Sequence, residues 1–543
     1  MTQNYSLMLF LPIFLYAEIH YRFKYFFSFL KKSEPEILAD LPHRIEPTAS
    51  LPILLLIKDA KLYPIEIESI EISFSQKEKN IFSQKILLNE KINSPLWWKI
   101  VSILFENELK NIFGFINIDV KFHYQCNGKS KSCINDNYRT SSKKSFCVYR
   151  SQNSLPVLPN WIYGDAHTHS SYTNDQVEFG SPLPASVELC KAIGLSFFCA
   201  TDHSYDLDDK IDNYLVNDST LPKWNSFQKE VDTINTQEKK FVVIRGEEVS
   251  CWNQKQRNVH FLLLGTRKFF TGSGDSAEKW FKTKSEFTIA EILAQKDSFI
   301  VAYAAHPTEH TPFFQWLLIK RGEWSLQDMS EKKLDGIQIL NGIYNDGFQK
   351  GLRNWKKLLL NGKKIFIAGG NDAHGNFNRF KQIGIPFFSI KEKNEQLFGK
   401  MRTAMKISNV NEENILSCFR NGNTVITNGP LCIFEIHNED NTIARIGETI
   451  TGKKFTFHLN GISTQEYGEF SHINIYCGNL STKKEVLWKN YSNINSFSFH
   501  HIETYLPETT YSYLRIESFT KNGDGWDKFG FCYTNPIWIE DKT

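Results

Sequence analysis

Seven histidines lie between residues 160 and 375, and six of them close or sit within short apolar runs. WIYGDAHTH ends on His167 and His169, and LSFFCATDH ends on Asp202 and His203. FVVIRGEE closes on Glu247 and Glu248, and NVHFLLL carries His260. FIVAYAAH ends on His306, and KIFIAGGNDAH ends on Asp372 and His374. A further run, GIQILN, closes on Asn341, a weaker ligand. Residues i and i+2 of a strand point to one side, so His167 and His169 can face one metal together, as can Asp372 and His374. Imidazole suits zinc and iron, while carboxylates suit harder ions and can bridge two of them. A lone histidine at a strand end is more often structural. Six in this arrangement point to a polynuclear metal site.

Holding these groups together requires strands that end at one place. From about 160 to 428, strand-like runs alternate with helical ones such as PLPASVELCKAIG, LPKWNSFQKEVDTINTQ and FQKGLRNWKKLLLNG. Such alternation predicts a largely parallel sheet, and ligands at successive strand ends favour a barrel. Residues 46–158 hold period-2 runs such as YPIEIESIEISF and GFINIDVKFHY, which predict a β-sandwich. Residues 429–543 alternate similarly and predict a second one. Three domains suit a chain of 543 residues.

The series DAHTHSSYTND, ATDH, GEE, VHFLLLG, AAHP, GIQILNG and GGNDAHG resembles the PHP (polymerase and histidinol phosphatase) superfamily of metal-dependent hydrolases. RNGNTVITNGPL and the late TNPI resemble its carbaryl-hydrolase-like (CehA/McbA) branch. The resemblance covers residues 159–428 and implies a distorted (β/α)7 barrel, here flanked by two all-β domains. It implies two or three divalent ions, with zinc, manganese and iron all admissible. By motif position the implied ligands are His167, His169, Asp175, His203, Glu248, His260, His306, Asp372 and His374, with Asp202 either a ligand or behind one. Within GEE the motif selects Glu248 over Glu247. Asn371 and Gln338 depart from the family pattern, where many relatives carry Ser and Glu.

Such a site implies a phosphoesterase that hydrolyses a small phosphorylated molecule, a nucleotide among the candidates, by a metal-activated hydroxide. His306 or His374 would protonate the leaving group. Arg379 is the first candidate for a phosphate-binding cation, and Arg353 reads as surface. Asp206, Asp208 and Asp209 read as a solvated turn before they read as partners of the ligand histidines. Two other functions stay open: carboxyl-ester or carbamate hydrolysis by the same metals, and a non-catalytic binding protein stabilised by them.

A net charge of +3 gives no strong case for nucleic acid as partner. The N-terminal SLMLFLPIFLYA is too short to span a bilayer, which takes about 20 residues. Residues 1–45 fit an interfacial membrane helix and a helix packed on the protein equally well. A cleaved signal is less favoured, so a cytoplasmic or membrane-associated location is preferred to a secreted one. Ten cysteines fit no zinc template, and a bridge among Cys126, Cys133 and Cys147 is left open.

Overall fold

The computed structural model describes residues 34–137, 144–173, 180–274, 283–378, 382–385, 388–391, 396–506 and 512–540. Asp175, Arg379 and most of the apolar N-terminal segment lie outside them. No described helix is long and apolar enough to cross a membrane. All ten cysteines are free.

In the N-terminal unit the alternating runs form two sheets. One has three strands, in the order Glu36–Asp40, Leu51–Lys58, Leu96–Ile103. The other has six and is built around the long hairpin Ile65–Gln76 and Lys79–Ile92. That hairpin turns at Lys77 and Glu78, both at positive φ, as a tight two-residue turn requires. Inward-facing side chains such as Ile53, Ile67, Ile70, Phe74, Ile118 and Phe122 share a dry core.

The motif-bearing strands belong to a sixteen-stranded mixed sheet. Its first part runs Phe366–Gly370, Gly336–Asn341, Val301–Ala304, Asn258–Leu264, Val242–Trp252, Phe197–Ala200, Trp161–His169. It continues through Arg402–Lys406 and Thr424–Thr427 into C-terminal strands.

The (β/α)7 barrel is therefore not the observed fold. Val242–Trp252 and Asn258–Leu264 form an antiparallel hairpin with no helix between them, and Asn258–Leu264 is also antiparallel to Val301–Ala304. Nor does Phe366–Gly370 hydrogen-bond back to Trp161–His169. The link back is made beyond it, by Asp372 N donating to the His167 carbonyl at 2.9 Å and by the short Ala373–His374 strand, which pairs Thr168 with Ala373 and His169 with His374. On its other side Trp161–His169 pairs antiparallel with Arg402–Lys406.

In the 429–543 region two sheets face each other, and one of them is continuous with the central sheet. Phe531–Thr534, Ser512–Lys521, Glu469–Asn479 and Lys484–Ser496 prolong the central sheet. A four-stranded sheet containing Leu431–Asn438 and Phe455–Ile462 shares a core with them through Phe434, Ile436, Phe457, Ile473, Ile475 and Leu514.

The N-terminal unit is pinned to the rest by polar contacts. Buried Arg44 donates through Nε to Glu466 Oε1 at 2.8 Å, and Trp526 Nε1 donates to the His43 carbonyl at 2.9 Å. Asp40 accepts from Phe377 N at 3.0 Å and Asn378 N at 2.9 Å, fixing the loop that follows His374.

Candidate metal centre

Strand pleating decides which side chains meet. His167 and His169 project together from one strand, with Nε2 atoms 3.2 Å apart. In GEE the adjacent carboxylates fall on opposite faces. Glu248 turns to the histidines, while Glu247 accepts from Phe270 N at 3.0 Å and Ser204 Oγ at 3.2 Å. Burial pushes the Glu247 carboxyl well above the usual range.

Three donor groups result, each with atoms close enough to hold one cation. They are His169, His203 and His374; His167, Glu248, His306 and Asp372; and His203, Glu248 and His260. Glu248 and His203 each belong to two groups, as bridging or closely spaced sites demand. Glu248 Oε1 lies 2.8 Å from His260 Nδ1 and 3.0 Å from His306 Nε2, and Oε2 lies 3.0 Å from His203 Nδ1. Asp372 Oδ1 lies 3.1 Å from His169 Nε2 and 3.5 Å from His167 Nε2. The His169 and His374 rings stack at 4.1 Å.

The donor set fits divalent ions. Six imidazoles and two carboxylates converge where His167, His169, His203, Glu248 and His260 are all buried. The His167 and His169 Nε2 atoms face each other at 3.2 Å, so without metal one ring donates to the other, and with metal both nitrogens are available as ligand atoms. Burial and the neighbouring His374 and His203 hold His169 well below its ordinary value, and burial likewise lowers His306. Neutral imidazole is the ligand form. Burial also acts to depress His167, but Glu248 and Asp372 beside it outweigh this and raise it to about 9. Glu248 is held well below the usual carboxylate range: burial opposes this, and His260 and His167 override it.

A supporting shell orients these ligands. Gln338 Oε1 accepts from His167 Nδ1 at 2.8 Å, which leaves Nε2 for the cluster, and Gln338 Nε2 donates to Asn341 Oδ1 at 3.0 Å. The Gln338 departure thus falls directly behind a ligand. Asn371, the other departure, donates through Nδ2 to buried Asp165 at 2.6 Å and accepts from Met401 N at 2.9 Å. Asp165 also accepts from Gly399 N, and burial raises its pKa to about 6.

Asp202 belongs to none of the three groups. Its Oδ1 accepts from Ser170 N and Thr173 N, and its Oδ2 from Ser170 Oγ, so it ties down the loop after His169. Asp206, Asp208 and Asp209, read as a solvated turn, are buried instead. Arg353 is exposed on the helix Asp346–Leu360.

His306, Asp372 and His374 are mostly buried, with the His306 and Asp372 side chains 8% and 15% exposed, and form the least buried side of the cluster, its rim. His306 and His374 both point a ring nitrogen into donor groups, so a proton-donating role would be a second demand on the same rings. Half-exposed Arg321 joins the rim, with Nη2 3.4 Å from His260 Nδ1. Sequence reasoning missed Arg321: it follows an aromatic run, FFQWLLIKRG, and no spacing rule links it to a ligand.

No family model matches this chain, and no curated protein does. Among solved structures, a putative beta-galactosidase from Bacteroides fragilis aligns over 93% of this chain and 74% of its own length, at 7% identity and a TM-score of 0.18. A beta-glucuronidase from Parabacteroides merdae aligns over 94% of this chain and 65% of its own, at 6% identity and a TM-score of 0.19. One from Bacteroides uniformis aligns over 93% and 61%, at 9% identity and a TM-score of 0.17. The chain spans less than two thirds of either glucuronidase. At such scores these likenesses carry neither fold nor chemistry over to this chain.

Proposed function

We propose that the chain is a metal-dependent phosphoesterase acting on a small phosphorylated molecule, in line with the PHP-like order of its motifs. One observation carries the reading: three donor groups, linked through Glu248 and His203, gather in one cluster whose least buried side is formed by His306, Asp372 and His374. Divalent ions held there would lower the pKa of water toward neutrality and neutralise charge on phosphoryl oxygens. The protein's own part is positional. Gln338 fixes the His167 tautomer, and Asp202 and Asp165 hold the loops on either side of the ligands. His374 Nδ1 donates to the Asp372 carbonyl oxygen at 3.2 Å, which aims its Nε2 inward. The buried floor keeps bulk water to the rim side, where a substrate approaches His306, Asp372 and His374.

The test is hydrolysis of a nitrophenyl phosphate, a nucleoside 3′,5′-bisphosphate, a short RNA and a carbamate by the metal-loaded full chain. His167→Ala and Asp372→Ala serve as controls. Phosphate release that both variants lose by at least about a hundredfold is expected, since losing a ligand should cost no less than the roughly 10–100-fold that follows from losing a group behind one. Phosphate release unaffected by either variant would refute the reading. A second reading, carbamate or carboxyl-ester hydrolysis, draws on the short helix Phe313–Leu318, which follows His306 in the chain and leaves Phe313, Trp316 and Leu317 exposed. Cleavage of the carbamate alone would select it.

A further inference from the structure

The chain leaves the metal centre after His306 and returns to it at Trp324. Trp324 N donates to the Pro307 carbonyl at 3.0 Å, and its Nε1 donates to the His260 carbonyl at 3.1 Å. Asn258, two residues before His260, donates through N to the Lys320 carbonyl at 2.9 Å and accepts at its own carbonyl from Gly322 N at 2.9 Å. Its Nδ2 donates to the Ile319 carbonyl at 2.7 Å. Residues 307–324 thus form a lip tied to the segments that carry His306 and His260, and the lip bears the helix Phe313–Leu318.

This helix turns apolar side chains outward. Trp316, Leu317 and Leu318 are all exposed, Leu317 by 54%. Contiguous exposed apolar side chains mark a surface that meets something other than water. Cations stand around them. Arg257 lies 4.1 Å over the Trp316 ring and donates to the Trp316 carbonyl at 2.7 Å. Lys320, just after the helix, lies 5.9 Å from the Trp252 ring, and Lys255 is exposed in the turn that carries Arg257. Among the described residues none of these three cations is ion-paired with a carboxylate.

Apolar tips among such cations match the surface of an anionic bilayer. There Trp and Leu enter the headgroup boundary while Lys and Arg meet lipid phosphates. A second copy of the chain fits less well, since a twofold contact would bring the same cations together. Residues 1–45 carry the same mixture in sequence, SLMLFLPIFLYA followed by YRFKYFFSFLKK. We propose that the lip docks the protein on an anionic lipid bilayer and presents the metal centre to a phosphate ester borne by a membrane lipid. The docking stands on the lip itself, and the lipid substrate rests on the phosphoesterase reading.

The experiment sediments the manganese-loaded full chain with vesicles of phosphatidylcholine alone, or of phosphatidylcholine mixed with phosphatidylserine. The natural sequence is compared with Leu317→Asp, and with Lys255→Gln combined with Lys320→Gln. Metal content is measured on the same samples. The natural chain is expected to prefer the mixed vesicles. Leu317→Asp should keep its metal and bind them at least about tenfold more weakly. The double lysine variant should lose about fivefold for each charge removed. Undiminished binding in a metal-replete Leu317→Asp, or equal binding of the natural chain to both vesicles, would overturn the docking. Phosphatidic acid in the vesicles and nitrophenyl phosphate in solution then serve as substrates. Leu317→Asp should lose turnover of phosphatidic acid far more than of nitrophenyl phosphate. A natural chain that docks and hydrolyses nitrophenyl phosphate but spares phosphatidic acid would overturn the lipid substrate alone. Phosphate release from neither would overturn the phosphoesterase reading, while the vesicles decide the docking.

Discussion

Glu248 brings His203, His260 and His306 within 3.0 Å of its two oxygens, so at residue scale the centre depends on one carboxylate supported by orienting groups. Gln338 is such a group. Gln338→Leu removes the acceptor for His167 Nδ1 and should weaken metal affinity by about 10–100-fold, as measured by chelator competition. Unchanged affinity would mean that the His167 ring is fixed by other contacts. Protonation gives an independent check. In the metal-free chain Glu248 and Asp372 hold His167 at about 9 against burial, so at neutral pH this ring carries a proton that metal must displace. Metal affinity should therefore climb from pH 7 to 9, with proton release visible by calorimetry in buffers of different ionisation enthalpy. Release absent from the natural chain, or undiminished in His167→Ala, would contradict this. Much of the site was legible because ligand residues at i and i+2 declare a shared face, and pleating separates Glu248 from Glu247. Asp202 was not legible: its backbone partners, Ser170 N and Thr173 N, belong to a loop more than 25 residues earlier in the chain. Arg321 was hidden for a similar reason, since it reaches His260 only through the turn back from Phe313–Leu318.

At the scale of elements, the ligands sit on strained strand ends. His306 and Asp372 both have positive φ, at 27° and 52°. Such conformations persist where surrounding structure enforces them, and they cluster at functional sites. Gly370, just before Asp372, packs against the strand carrying His167: an added Cβ would lie 2.7 Å from His167 N and 2.9 Å from His167 Cβ. Gly370→Ala should therefore destabilise the fold by about 1–3 kcal/mol and lower metal occupancy. Denaturant midpoints and metal analysis read both effects, and a variant matching the natural chain in both would show that the two strands can separate freely. The strands themselves were visible as apolar runs, but their directions were not. A run such as NVHFLLL is buried throughout, so its periodicity carries no direction, and the antiparallel hairpin it forms with Val242–Trp252 broke the expected β/α repeat. Equally, nothing local in TVIT indicates that it bridges Arg402–Lys406 to Phe531–Thr534 and so joins the C-terminal strands to the central sheet.

At the scale of the whole molecule, the N-terminal unit meets the rest of the chain around His43 and Arg44. Burial, and then the positive charges of Arg402, Lys400 and Arg44, hold His43 well below its ordinary value. The unfolded chain takes up that proton below about pH 6.5 while the folded one does not, so the contribution is present above that pH and lost as pH falls. The natural chain should lose stability relative to His43→Gln by roughly 1.4 kcal/mol per pH unit below 6.5, measured by denaturation at pH 7 and pH 5. Parallel pH profiles would place the His43 ring in water. Arg44→Ala leaves Glu466 buried without its partner and should cost about 3–5 kcal/mol, read from denaturant midpoints, whereas an unchanged midpoint would show that the two units are held by other contacts. These junctions matter to the centre because Asp40, in the same unit, fixes Phe377 and Asn378 just beyond His374. The most direct test of the account is the number of metal ions per chain after loading and gel filtration, by plasma mass spectrometry, for the natural sequence and Glu248→Gln. Two or three ions, falling to at most one in the variant, is the predicted result; a natural chain that retains no ion, or a variant that retains as many, would contradict a centre built on Glu248.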